Sequence, residues 1–221
     1  MTASTTRPLL LGHRGAGAHK VIPENTPASF DQALADGCDG FEFDVRLTED
    51  GEPVLSHDPR FGKYKIERTL AQQLSTLPRL RDVLKRYQEK AFLDIEVKVK
   101  GLERTIVDLF LRHKPRKGCV VSSFLPGAIK TMHGHDATIP LGLICETPTQ
   151  LRQWSELPVA YVIPQHALVD ADLVRKVKGA GKKIMVWTVN EAAEMRRFAE
   201  LGVDGIISDE TGLLCRTLSA G

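Results

Sequence analysis

The side chains able to do chemistry sit in four short clusters: His13-Arg14-Gly15, Glu42 with Asp44, His57-Asp58, and Glu96 with Lys98. In a strand, residues i and i+2 point to the same side, so Glu42 and Asp44 share a face, as do Glu96 and Lys98. Three inward carboxylates repel one another, and a hard divalent cation relieves that repulsion through oxygen ligands. Arg14 and Lys98 supply positive charge suited to an anionic oxygen group, phosphate by preference. Imidazole titrates near neutral pH, so histidines flanking such a site can serve as general base and general acid. The set reads as metal-assisted phosphodiester cleavage.

These residues need elements that deliver them to one place. Short apolar runs at 9–13, 40–45, 53–57, 92–98, 119–123, 141–145, 160–163, 183–188 and 205–208 read as strands. Most are continuous rather than alternating, the mark of strands covered on both faces in a parallel sheet. Amphipathic segments lie between them at 78–90, 102–113 and 172–178. Thr26-Pro27 opens a helix that Gly37 ends, and Asn190 is expected to cap a helix over 191–201 that Gly202 stops.

Nine strands exceed a (β/α)8 barrel by one. The stretch between 45 and 53 is too short for a parallel crossover, and Asp50-Gly51 signals a hairpin turn. The 40–57 stretch is therefore read as one barrel strand that overshoots the rim over residues 45–57 and returns antiparallel, bringing His57 back to the level of Asp44. The other strands, at roughly 28 residues per βα unit, fit a compact α/β TIM barrel. An open doubly wound sheet is the competitor, but no GxGxxG opens a helix. With no linker or low-complexity tract, residues 1–221 read as one domain.

Composition narrows the function. The 221 residues carry 30 Lys+Arg against 28 Asp+Glu, with both signs interspersed, so no basic stripe is available for nucleic acid. No apolar stretch approaches the roughly 20 residues needed to cross a bilayer, and no stable membrane association is expected. The start lacks the basic and apolar segments of an export signal, and Cys38, Cys119, Cys145 and Cys215 form no CxxC pair. Both features point to reduced, buried thiols in a cytoplasmic protein. His19 and His113 read as ordinary structural or surface residues. His133-Gly134-His135-Asp136 reads as a solvated loop with a metal site as the alternative, and His166 fits either role. Trp187 fits a core position or the wall of a ligand cleft.

The chain resembles the glycerophosphodiester phosphodiesterases. The resemblance is carried by HRG at 13–15, PENT at 23–26, Glu42-x-Asp44, DGEPVLSHD at 50–58, Glu96-x-Lys98, Ser122-Ser123-Phe124, VWTVN at 186–190 and DGIISD at 204–209. It implies a TIM barrel that hydrolyses glycerophosphodiesters to sn-glycerol 3-phosphate and an alcohol. It further implies His13 and His57 as the acid/base pair, and Glu42, Asp44 and Glu96 as ligands of one divalent cation, Ca²⁺ or Mg²⁺. Arg14 and Lys98 would contact phosphate, Trp187 would wall the glycerol moiety, and Asn25 would orient the site from behind. The partner implied is a small-molecule glycerophosphodiester, and a homo-oligomer is left open.

Two stretches depart from the family pattern. PRFGKYKIERT runs quickly from His57-Asp58 to the next helix, which shortens the substrate mouth. The usual Thr-Asp-x-Pro becomes Ser208-Asp209-Glu210-Thr211, a change near the barrel closure expected to affect little. Rival readings are a phospholipase-D-like or phosphatidylinositol-cleaving barrel releasing a cyclic phosphate, and a non-catalytic barrel serving as a binding module. The missing export segment weighs against the first, and the complete set of histidines and carboxylates against the second.

Overall fold

The continuous apolar runs become the staves of a closed parallel barrel. In the computed structural model, which describes residues 7–17 and 21–218, the barrel strands are β1 (Leu9–Gly12), β2 (Gly40–Leu47), β6 (Phe92–Val97), β7 (Cys119–Ser123), β8 (Leu141–Cys145), β9 (Tyr161–Pro164), β10 (Lys183–Val186) and β11 (Gly205–Ser208). Neighbours pair in the order β1-β11-β10-β9-β8-β7-β6-β2, and a β1–β2 pairing closes the ring. Around it lie α1 (Pro27–Ala35), α2 (Leu80–Tyr87), α3 (Glu103–Arg112), α4 (Pro126–His135), α5 (Pro148–Leu151), α6 (Ala171–Gly179), α7 (Ala192–Leu201) and α8 (Thr211–Leu218).

Alternation along the strands divides the core in two. Outward residues such as Phe41, Phe43, Leu93, Ile95 and Val121 pack beneath the helices. Leu11, Phe92, Val120, Ile144, Ile163, Met185 and Ile207 fill the barrel interior. β2 adds nothing apolar to that interior, because its inward positions are Gly40, Glu42 and Asp44. At the bottom of the strand a Cβ on Gly40 would lie 1.9 Å from the Phe92 carbonyl oxygen, so only glycine lets the two backbones meet. On its outer face β2 is anchored by aromatics. The Phe30 and Phe41 rings stack at 4.2 Å, and Tyr87 meets Phe41 edge-on at 5.0 Å.

The expected hairpin is present. β3 (Pro53–Leu55) pairs antiparallel with the upper end of β2, in the register Val45↔Leu55 and Leu47↔Pro53. The Thr48 hydroxyl donates to Asp50 at 2.6 Å, and Gly51 takes the left-handed φ of +81° that closes the turn. A last rung joins the Ser56 N–H to the Asp44 carbonyl, which brings His57 to the Asp44 level. Beyond it, β4 (Arg60–Phe61) and β5 (Tyr64–Lys65) make a small ribbon, followed by two 3₁₀ turns.

Thr26 caps α1 by accepting from the Ser29 N–H, and Gly202 ends α7 in the left-handed conformation. Three expectations are corrected. The strands expected at 53–57, 92–98 and 183–188 stop at Leu55, Val97 and Val186. There the chain leaves the ladder to present side chains at the mouth. Asn190 does not cap α7, whose cap residue is Glu191, because its amide is taken by tertiary bonds to the end of β11. His133 and His135 lie in the last turn of α4 rather than in a loop, though both are solvent-exposed as expected. At 208–211 the aspartate shared with the family pattern, Asp209, touches His13. All four cysteines are buried free thiols, and His19 lies outside the described residues. Among the described residues no helix is long and apolar enough to cross a membrane.

Candidate active site

Parallel register sets β2 beside β6 with Glu42 opposite Asp94 and Asp44 opposite Glu96. All four side chains are inward and buried, so they form two layers of paired carboxylates. Ligand atoms of Glu42, Asp44 and Glu96 lie within 4.8 Å of one another. Above them, Lys98 reaches back to Glu96 at 2.7 Å and Asp44 at 3.2 Å, and the Arg14 Nε faces Asp44 at 3.3 Å.

The β1–α1 segment is shaped around this cluster. Arg14 and Asn25 hold positive φ values of +52° and +57°, which non-glycine residues seldom adopt. The turn aims the Arg14 N–H at Glu42 (3.0 Å), and Asn25 makes two bonds with Asp44, donating to its carboxylate at 2.8 Å and accepting from its N–H at 3.0 Å. His13 follows β1 with Nδ1 2.7 Å from Asp209 and Nε2 3.9 Å from Glu42. His57, at the end of the returning arm, has Nδ1 2.9 Å from Asp58, while the Arg46 guanidinium donates twice to the His57 carbonyl at 2.9 and 2.6 Å.

Charge crowding shows in the titration of the carboxyls. Burial, followed by Asp44, Glu96 and Asp94, pushes Glu42 well above the usual carboxylate range. Burial also raises Glu96 to about 7, with Asp44 adding to the rise and Lys98 opposing it. Asp94 rises to about 7 through burial, against the bond it accepts from Ser122. Asp44 runs the other way: burial would raise it, but Lys98, Arg14 and the Asn25 amide hold it below its ordinary value.

The residues fit a hard divalent cation. Three clustered carboxylates are the oxygen donors such an ion prefers, and Glu42 Oε1 is buried without any hydrogen-bond partner. Asp44 Oδ1 likewise lacks a hydrogen-bond partner, with the Lys98 ammonium 3.2 Å away.

A cavity of about 240 Å³ opens over this floor. One side is polar, with His13, Arg14, Glu42, His57, Asp94, Glu96 and Lys98. The other is formed by Phe124, Ile144, Ile163, Trp187 and Ile207, with Glu146 at the rim. Trp187 and Phe124 meet edge to face at 5.7 Å, and the indole N–H donates to the Ile163 carbonyl, so the ring presents carbon to the cavity.

All eight site residues expected from sequence come together: seven line the cavity, and Asp44 lies beneath it among the carboxylates. His166 does not line the cavity: its backbone N–H donates to the Trp187 carbonyl at 2.7 Å, and its ring lies 3.9 Å from Glu194. Three residues went unread: Asp94, Glu146 and Asp209. The signal was the two-residue period, which carries the inward face from Glu96 to Asp94, from Ile144 to Glu146, and from Ile207 to Asp209.

An α/β barrel with paired histidines, clustered carboxylates and two cations at the C-terminal mouth defines a class, the barrel phosphoric diester hydrolases. The model of the glycerophosphoryl diester phosphodiesterase family matches residues 13–73 and 61–213, and the chain belongs to that family. A glycerophosphodiester phosphodiesterase from Caldanaerobacter subterraneus subsp. tengcongensis is 27% identical over 241 residues, covering 96% of this chain and 98% of the relative. Two solved structures share the fold. The glycerophosphodiester phosphodiesterase from Thermotoga maritima has a TM-score of 0.83 at 22% identity, covering 96% of this chain and 98% of its own. A phosphodiesterase from Oleispira antarctica, in complex with the product sn-glycerol-3-phosphate, has a TM-score of 0.84 at 24% identity, covering 96% of each chain.

Proposed function

We propose that the protein hydrolyses glycerophosphodiesters to sn-glycerol 3-phosphate and an alcohol. The observation that carries this reading is the placement of His13 and His57 on the cavity wall over the carboxylate cluster, each with Nδ1 against an aspartate. The product bound to the Oleispira antarctica phosphodiesterase supports the choice of product. Glu42, Asp44 and Glu96 would hold one divalent cation, Ca²⁺ or Mg²⁺. When bound, that ion supplies positive charge that polarises a phosphate oxygen.

The remaining work falls to side chains. Arg14 and Lys98 bind and orient the phosphate. The apolar wall of Trp187 and Phe124 takes the carbon face of the glycerol moiety and excludes water there. One histidine accepts the proton of the attacking oxygen and the other donates a proton to the departing alcohol oxygen as its bond to phosphorus breaks. The net reaction consumes one water.

The test is to incubate the protein with glycerophosphocholine and a choice of Ca²⁺, Mg²⁺ or Mn²⁺, and to follow products by ³¹P NMR and a glycerol-3-phosphate assay. Equimolar choline and sn-glycerol 3-phosphate are expected, with turnover lost in EDTA and restored by the cation. Phosphocholine or an accumulating cyclic phosphate would refute the reading.

A further inference from the structure

His13 is oriented by residues almost the whole chain away, and the hydrogen bonds that do so run in one direction only. We propose that Asn190 and Asp209 form a positioning pair that locks His13 in the tautomer protonated at Nδ1, leaving the Nε2 lone pair turned toward the cavity. The functional consequence rests on the proton-transfer role given to His13 above; the lock itself does not.

The direction is set by backbone amides, which cannot reverse. The Asp209 N–H donates to Asn190 Oδ1 at 3.0 Å. The Glu210 N–H donates to Ser208 Oγ at 3.0 Å, leaving that hydroxyl's proton to donate to the same Asn190 oxygen at 3.1 Å. With its oxygen taken by two donors, the Asn190 carboxamide cannot flip, because a flipped NH₂ would face a backbone N–H. Its Nδ2 therefore donates to Asp209 Oδ2 at 2.8 Å. The other carboxylate oxygen, Oδ1, lies 2.7 Å from His13 Nδ1, and a carboxylate only accepts, so the Nδ1 position must carry the proton.

Two further contacts hold the pair in place. The His13 N–H donates to the Ser208 carbonyl at 2.8 Å, tying the end of β1 to the residue before Asp209. Gly17 packs so closely that a Cβ there would come within 2.8 Å of Asp209 Oδ1. On its far side the ring presents Nε2 toward Glu42 at 3.9 Å. These contacts explain why the asparagine after VWTV is not a helix cap and why the aspartate after DGIIS bears on the site.

Asp209→Asn inverts the logic. Asn190 still demands an acceptor, so the new carboxamide oxygen must face it and the new NH₂ must face His13, which then accepts at Nδ1 and carries its proton on Nε2. The test is a long-range ¹H–¹⁵N correlation of the histidine rings, with His13→Gln assigning the signal. Spectra are taken on the Mg²⁺-supplemented protein at about pH 8.5, where a free imidazole is neutral. Wild type is expected to show Nδ1 protonated, and Asp209→Asn to show Nε2 protonated. The variant's kcat should be about 100-fold lower or less still, with KM changed less than about threefold, as befits a misplaced proton rather than lost binding.

Asn190→Ala, which frees Asp209 without altering its charge, should give a mixture of tautomers and an intermediate kcat, and it keeps the test open if Asp209→Asn does not fold. A wild-type ring protonated at Nε2, or an unchanged Nδ1–H signal in both variants, would overturn the lock. An inverted tautomer with full turnover would support the lock and instead remove His13 from the proposed mechanism.

Discussion

At the scale of single residues, the site depends on where two imidazoles stand. His13 is held by a half-buried aspartate and His57 by an exposed one, so the two rings are alike in chemistry and unlike in solvent access. Replacing either by alanine should lower kcat by about 100-fold or more, the usual loss when a proton-transfer group is removed. Melting temperature should change little, since neither ring lies in the core. Steady-state kinetics beside a thermal melt checks both statements, and near wild-type turnover at either position would remove that histidine from the mechanism. The histidines and charge pairs were legible because they stand at strand ends with a period of two. For Asp209 the same period marks only an inward position two beyond Ile207, and nothing near it in sequence marks it as a partner of His13. Asn190 was misread because a local capping preference, of about 1 kcal/mol, competes with three tertiary hydrogen bonds that only the closed barrel supplies.

Among the elements, the β2–β3 hairpin matters most, since it folds His57 over the carboxylates. Its turn was readable from Asp50-Gly51, and its length from the absence of a crossover. α4 was missed because Pro126-Gly127 and the HGH end dilute its periodicity to Ala128, Ile129 and Met132. Gly51 combines a φ of +81° with open space around its Cβ position, so Gly51→Ala isolates the backbone cost of the turn. A loss of about 1 kcal/mol is expected, read as a fall in melting temperature of about 2–4 °C, with turnover intact well below the melt. An unchanged melt would mean that the hairpin relaxes without its left-handed residue. The β4–β5 ribbon beyond His57 is short, with Arg60, Phe61 and Lys63 in solvent, so little protein remains to grip the departing alcohol. Glycerophosphocholine, glycerophosphoethanolamine and glycerophosphoglycerol should therefore be cleaved with kcat/KM values within about tenfold of one another. Competition kinetics decides this. A hundredfold preference would reveal a head-group subsite, for which Glu146 at the rim is the available charge.

For the molecule as a whole, the barrel's stability should carry the signature of its crowded interior. Burial and neighbouring carboxylates raise Glu96 and Asp94 to about 7 and Glu42 well above its usual range. A carboxyl whose folded value exceeds its unfolded one contributes stability that is fully present below the unfolded value, about 4, and lost as pH rises through the folded value. Asp44 has the opposite sign: its contribution is present above the ordinary aspartate value and lost only in acid, as pH falls through its lowered folded value. The metal-free protein should therefore melt at progressively lower temperature between about pH 5 and 8. A divalent cation binds the ionised carboxylates, so it should raise the melt most at the alkaline end and flatten the profile. Glu96→Gln should flatten the metal-free profile as well, while weakening the response to cation. Thermal melts across this range, in EDTA and in Ca²⁺ or Mg²⁺, separate the two claims. A metal-free melt that is level or rises with pH would refute the charge crowding, and the absence of any cation-induced rise at about pH 8 would refute the metal site.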